Sequence, residues 1–384
     1  MINKKILIHI GPPKTGSSAI QRFLQQHKKL LLENSIFYPD HSLDDNGISS
    51  GNVERIYDMV NGEWVLSKSK IVSLLNEFQM SEYQILLLSS EFFCKDLLQI
   101  SKAIPSSQFI AYIRSPLDFL ESNYNQSVKR HNNVKLIELD KLDTSVIETL
   151  DKFISVQGVE RLNLRAYLPN QPGGLISDFL NALSMTYSLK TNDNIIVNSS
   201  YCHEALQVKR WLNNFRLLPS RFENEIDKTL QSFNEGTKSY SYVTSDIFES
   251  YRQESILILN KLKGKILIHN SSELIEHVKT IPHEKYKTQE LTQFDVKSIA
   301  KYIYNKDKQL HSLICLKLQD IRNDDEQSKA LKFISDFYIN KKPHILLFFY
   351  NAIGMKITLT FFAISYKSKK KLLAFIKNKF CLDI

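Results

Sequence analysis

The sequence predicts an α/β fold, a parallel sheet flanked by helices with a helical extension at the C-terminus. Three observations lead there. Short apolar runs bounded by turn residues recur at 5–10, 35–38, 84–88, 108–113 and 162–166. Apolar residues at helical spacing lie between and beyond them, at 17–29, 68–79, 116–130, 145–156, 203–215 and 245–263. Two of the runs end in residues suited to holding an anion, each directly ahead of a helical pattern. Alternating strands and helices argue for a parallel sheet covered on its faces. With 384 residues, 43% hydrophobic and 24% charged, the chain has the length and composition to bury a large core.

The first run, Lys5 to Ile10, stops at Gly11 and continues as Pro12-Pro13-Lys14-Thr15-Gly16-Ser17-Ser18 ahead of a helix. Backbone N–H groups at a helix N-terminus point at an anion, and the helix dipole favours negative charge there. Lys14 adds a full charge, and glycine admits close approach of the backbone. The order is not that of an ATP- or GTP-binding loop, where the lysine follows the second glycine and a Mg²⁺-holding hydroxyl comes next. Here Lys14 precedes Gly16. A nucleotide hydrolase also uses a later strand ending in aspartate, whereas Gln84 to Leu88 runs into Ser89-Ser90-Glu91. The loop is P-loop-like without the metal-organising parts.

The second anion element follows the run Gln108 to Ile113. It reads Arg114-Ser115-Pro116-Leu117-Asp118, with Ser122 and Tyr124 further on. Pro116 suits a first helical position and Ser115 a cap. Leu117, Leu120, Tyr124 and Val128 recur at helical spacing and form the expected buried face. Arg114 falls at a strand's carboxyl end, where α/β sheets bind ligands. Arginine offers phosphate a charged fork, and Ser122 adds a neutral donor.

Lys14-Thr15-Gly16-Ser17-Ser18 after a first strand resembles the 5′-phosphosulfate loop of sulfotransferases that use 3′-phosphoadenosine-5′-phosphosulfate (PAPS). Arg114-x-Pro116-x-Asp118 with Ser122 resembles their 3′-phosphate site. Further stretches look like the bacterial branch, many of whose members modify carbohydrates: Gly51-Asn52, Ser89-Ser90-Glu91, Arg165-Ala166-Tyr167, Gly173-Gly174, Asp178-Phe179-Leu180, Asn198-Ser199-Ser200-Tyr201 and Thr244 to Lys263. The resemblance implies a sulfotransferase fold over 1–270, followed by a helical extension (271–340) and a basic hydrophobic tail (341–384). It implies that Pro13, Lys14, Thr15, Gly16, Ser17 and Ser18 hold the 5′-phosphosulfate, that Arg114 and Ser122 hold the 3′-phosphate, and that no metal is needed. The acceptor is then a carbohydrate or glycolipid hydroxyl. The late Arg-Lys-Gly element of the eukaryotic cytosolic branch has no clear equivalent, Lys263-Gly264-Lys265 being the nearest. A P-loop kinase and a non-catalytic nucleotide-binding accessory protein are the competing readings.

Sulfuryl transfer needs a general base for the acceptor hydroxyl. Glu91 comes first, because it follows a strand end beside the expected loop. His41 and Asp40 come next, after the strand at 35–38. His9 is nearer the loop, but a strand histidine is more often structural. Glu91 has a second reading as the cap of the next helix, and Asp40 and His41 as turn residues.

The net charge of +9 is not a nucleic-acid signal, because it is unevenly placed. Residues 341–384 carry nine lysines and one acid, Asp383, so the tail holds +8 and the body +1. The tail is also apolar from His344 to Ser365, then alternates lysines with Leu372, Leu373, Phe375, Ile376 and Phe380. A central lysine argues against a spanning helix. Two readings stay open: a core helix with a solvated basic end, and a basic amphipathic anchor on an anionic membrane face. Four scattered cysteines give no zinc or disulfide pattern, and the N-terminal apolar run is too short for a signal peptide. The expected location is the cytoplasm, at the inner membrane face if the tail binds lipid.

Overall fold

The computed structural model describes residues 4–41, 49–169, 171, 173–185, 201–214 and 220–319. Its strands are β1 (Lys5–His9), β2 (Ile36–Phe37), β3 (Tyr57–Val60), β4 (Glu63–Leu66), β5 (Ile85–Ser89), β6 (Ser107–Ile113), β7 (Leu162–Ala166) and β8 (Ile268–His269). Six of them form one sheet in the order β2-β5-β1-β6-β7-β8, every pairing parallel. The expected α/β class with a parallel sheet flanked by helices is what forms. From β1 the chain crosses to one edge at β2, and from β6 it proceeds to the other edge through β7 and β8. The connections therefore diverge between neighbouring strands β1 and β6, the crevice where such sheets bind ligands.

The strands read as continuous apolar runs because both faces are covered. On one face Ile6, Ile8, Leu86, Leu88, Phe109, Ala111 and Leu164 pack in a core with α3 (Lys68–Met80), α4 (Leu97–Ala103), α6 (Ser145–Gln157), α10 (Ser245–Lys263) and α11 (Ser271–Thr280). On the other, Leu7, Leu87, Ile110 and Tyr112 pack with α1 (Ser17–Gln26), α2 (Lys28–Glu33) and α7 (Gly174–Ala182). Alternate residues of one strand thus serve opposite cores. Between β6 and α6 lies α5 (Pro116–Arg130), which begins at the proline as its sequence implies.

Three local differences from the periodicity have physical causes. The helix expected over 17–29 breaks at His27, which stacks on Phe23 at 4.1 Å while its ring nitrogen and its backbone N–H both reach the Phe23 carbonyl. Residues 57–66 form a separate antiparallel hairpin, β3–β4, turning at Asn61-Gly62 with φ of +51° and +84°. Asn-Gly between alternating residues is a hairpin signal in its own right. The two-residue strand β8 is too short for any periodicity and exists by pairing with β7.

The described residues fall into two compact units. One holds those up to 124, between 137 and 185, and from 241 to 286, and contains the sheet. The other holds 125–136, 201–240 and 287–319. It contains α8 (His203–Asn213), α9 (Ser220–Gln231), α12 (Gln293–Lys306) and α13 (Lys308–Gln319). There α8 is buried nearly all round, with Glu204 bound to the Thr237 N–H and hydroxyl at 2.7 and 2.8 Å. A reciprocal cap between Thr292 and Asp295 starts α12. Among the described residues no helix is long and apolar enough to cross a membrane. The basic tail, the polar break at 323–328 and Asn198-Ser199-Ser200 lie outside the described residues.

Candidate functional site

The anion loop spans the end of β1 and the start of α1, and three residues in it take left-handed backbone: Gly11 (φ +52°), Lys14 (+62°) and Gly16 (+80°). Glycine is required twice. A Cβ on Gly11 would lie 3.0 Å from both Ser17 Oγ and the Ser90 carbonyl, and one on Gly16 would lie 2.2 Å from Leu175 Cδ2. Thr15 is turned inward, its hydroxyl donating to the Pro12 carbonyl at 2.6 Å. Pro13 is exposed at the tip. Gly16 brings no side-chain cap to α1, so the first N–H groups of that helix have none. Ser17 Oγ is buried without a partner, and Ser18 follows half-buried in the same turn.

Arg114 enters from the carboxyl end of β6, the neighbour of β1. Its Nη1 donates to the Lys14 carbonyl at 3.2 Å and to Ser122 Oγ at 3.3 Å. Lys14 is thereby brought to Arg114 and Ser122, which lie about a hundred residues on. The guanidinium lies 5.5 Å from the Tyr167 ring centroid, and its Nε is buried with no partner. Buried donors without partners are costly, and here Ser17 Oγ and Arg114 Nε are two of them at one anion-type loop. They are donors of the kind phosphate oxygens satisfy, so the side chains present fit a phosphorylated ligand.

Burial lowers the pKa of the Lys14 ammonium, the Arg114 charge lowers it further, and Glu91 opposes both. Glu91 is thus within electrostatic reach of the lysine. It is the exposed first residue of a one-turn 3₁₀ helix, Glu91–Phe93, directly after β5. Ser90, not Glu91, caps that turn, accepting from Phe92 N–H at 3.2 Å. Ser90 also holds the strand ends together: its N–H donates to the His9 carbonyl and its hydroxyl to the Ser50 carbonyl.

The other base candidates are held elsewhere. Both ring nitrogens of His41 are engaged, Nε2 with the Tyr38 hydroxyl at 2.9 Å and Nδ1 with Ser49 Oγ at 2.5 Å. Asp40 pairs with Lys28. His9 is fully buried, with Nδ1 at 2.8 Å from Ser89 Oγ, and burial pushes its pKa down to about 3. It is a neutral core residue.

Behind the loop lies a charged group that periodicity alone does not place. Arg165 on β7 donates to both oxygens of Asp178 on α7, each at 2.6 Å, and Tyr112 on β6 donates to the same carboxylate at 2.7 Å. This group fixes α7, whose Leu175 abuts Gly16. The available signal was a single charged residue within each of these two elements. Compared with protein-family models, with curated proteins and with solved structures, the chain matches none.

Proposed function

We propose that this chain is a PAPS-dependent sulfotransferase acting on a carbohydrate or glycolipid hydroxyl. One observation carries the reading: Arg114 reaches both the Lys14 carbonyl and Ser122. An arginine–serine pair of the kind that grips one phosphate thus stands beside a lysine loop of the kind that grips another, on adjacent strands of the sheet.

PAPS supplies the sulfuryl group. The acceptor oxygen forms a bond to sulfur as the bond from sulfur to the 5′-phosphate oxygen breaks, and the electron pair leaves with that oxygen. Lys14 neutralises the charge developing there, and the N–H groups and hydroxyls of Thr15, Gly16, Ser17 and Ser18 hold the phosphate. Arg114 and Ser122 hold the 3′-phosphate. Glu91 takes the acceptor's proton. It is favoured by its place after the strand end beside the loop and by its electrostatic reach to Lys14. Peripheral contact of residues 341–384 with an anionic membrane face remains part of the proposal, and it would bring the enzyme to a lipid-linked acceptor.

Thermal-shift measurements with adenosine 3′,5′-bisphosphate, 5′-AMP and Mg²⁺·ATP test the nucleotide. The bisphosphate should give the largest shift, and a larger shift with Mg²⁺·ATP would favour the kinase reading. Transfer from radiolabelled PAPS to cell-envelope glycans and glycolipids tests the reaction. Nucleotide binding without transfer would leave the accessory-protein reading.

A further inference from the structure

Helix α5 carries Ser122, and its first two turns are latched by three contacts to other elements. Leu117 N–H donates to Ser255 Oγ on α10 at 3.1 Å. Asp118 Oδ2 lies 2.9 Å from His277 Nε2 on α11. The third latch is Glu121, one residue before Ser122. One carboxylate oxygen accepts from Tyr242 N–H at 2.6 Å and the other from Ser241 Oγ at 3.2 Å. The segment it grips is itself tied down, with Ser241 N–H donating to the Lys285 carbonyl at 3.1 Å and His283 Nε2 at 2.8 Å from the Val243 carbonyl.

We infer that Glu121 is a positioning residue for the 3′-phosphate half-site: its two-pronged bond to residues 241–242 sets the rotation of α5 and so keeps the Ser122 hydroxyl at Arg114. The inference rests on the nucleotide reading above. The geometry is sensitive. A side-chain oxygen about 5 Å from a helix axis moves by about 1 Å when the helix turns by about 10°. The Arg114–Ser122 contact is already 3.3 Å, so such a turn away from Arg114 breaks it. An error of that size in a binding constellation is costly.

Burial raises the Glu121 pKa, the bonds from Tyr242 and Ser241 and the charge of His283 oppose the rise, and Glu284 adds to it, leaving it raised. A carboxyl group with a raised pKa is destabilising when ionised. A glutamine here keeps the Tyr242 bond through its carbonyl and donates its amide to the Ser241 hydroxyl.

The readout is the ratio of dissociation constants for 5′-AMP and adenosine 3′,5′-bisphosphate, measured by calorimetry on the full chain. Glu121→Ala should lower this preference for the bisphosphate about tenfold, with the 5′-AMP constant within about twofold of wild type. Glu121→Gln should keep the preference within about twofold and melt no lower than wild type. Ser241→Ala, which removes one prong from outside the helix, should lower the preference about threefold. If Glu121→Ala does not fold, Ser241→Ala decides. A strong wild-type preference that folded Glu121→Ala, or else Ser241→Ala, leaves intact overturns the positioning role alone. A wild-type ratio near one overturns the nucleotide reading, and this inference with it.

Discussion

Replacing Lys14 by glycine separates what the loop lysine does for the fold from what it does for the anion. Lys14 takes φ +62°, a conformation that costs a residue with a Cβ about 1–2 kcal/mol. Glycine removes that cost but adds freedom to the unfolded chain, which offsets about 0.5–1 kcal/mol. Removing the ammonium also relieves its burial and its repulsion by Arg114, against the lost attraction of Glu91. In a half-exposed loop that adds only a few tenths of a kcal/mol. The nucleotide-free Lys14→Gly variant should therefore be more stable than wild type by about 0.5–1 kcal/mol, a rise of about 1–4 °C in Tm for a unit of this size. Lys14→Ala keeps the left-handed strain and should melt within about 1 °C of wild type. Both should lose about 10²–10³-fold in sulfuryl transfer, the effect of removing one charge-stabilising group. Calorimetric melting without nucleotide, with transfer from labelled PAPS, reads both. Lys14→Gly melting below Lys14→Ala would refute the strain assignment, and transfer surviving in either would refute the catalytic one.

Arg114→Ala should weaken adenosine 3′,5′-bisphosphate about 10–100-fold and 5′-AMP less than about threefold, and equal losses in titration calorimetry would remove its 3′-phosphate role. Gly51→Ala should destabilise by about 3 kcal/mol in urea unfolding. Its φ is +71° and its Cβ would lie 1.8 Å from the Ser89 carbonyl oxygen, forcing apart the Asn52–Ser89 bonds at 2.9 Å. Burial opposes ionisation of Asp178, but the bonds from Arg165 and Tyr112 and the Arg165 charge outweigh it and lower its pKa. Its contribution is therefore present above the ordinary carboxylate range and lost as pH falls below about 4. Asp178→Asn should cost about 3 kcal/mol at pH 7 and flatten the acid limb of the stability profile. His9 titrates near 3 when folded, so the unfolded chain binds its proton first and stability falls as pH drops below about 6.5. His9→Leu should lessen that slope by one proton in pH-dependent unfolding.

Much of the geometry of the candidate anion loop was legible because its parts are local. Gly11, Lys14 and Gly16 lie within six residues, and each of the two elements follows an apolar run that both faces of the sheet bury. The choice among the base candidates was not legible in the same way. Glu91, His41 and Asp40 are all polar residues after strands, and spacing ranks Glu91 first only by its nearness to the expected loop. The tertiary structure adds what spacing lacks: it brings Glu91 within electrostatic reach of Lys14 and sets His41 between Tyr38 and Ser49.

By itself the sequence determined the alternation of strands and helices, the position of both candidate anion elements at strand ends, and the separation of a near-neutral body from a basic tail. Each follows from composition or from spacing within a few residues. Tertiary structure alone decided that β1 and β6 are neighbours, that Arg114 therefore reaches the Lys14 carbonyl across 100 positions, and that Glu121 on α5 holds Tyr242. Strand order and helix rotation are set by which distant surfaces bury each other, and no local pattern encodes that choice.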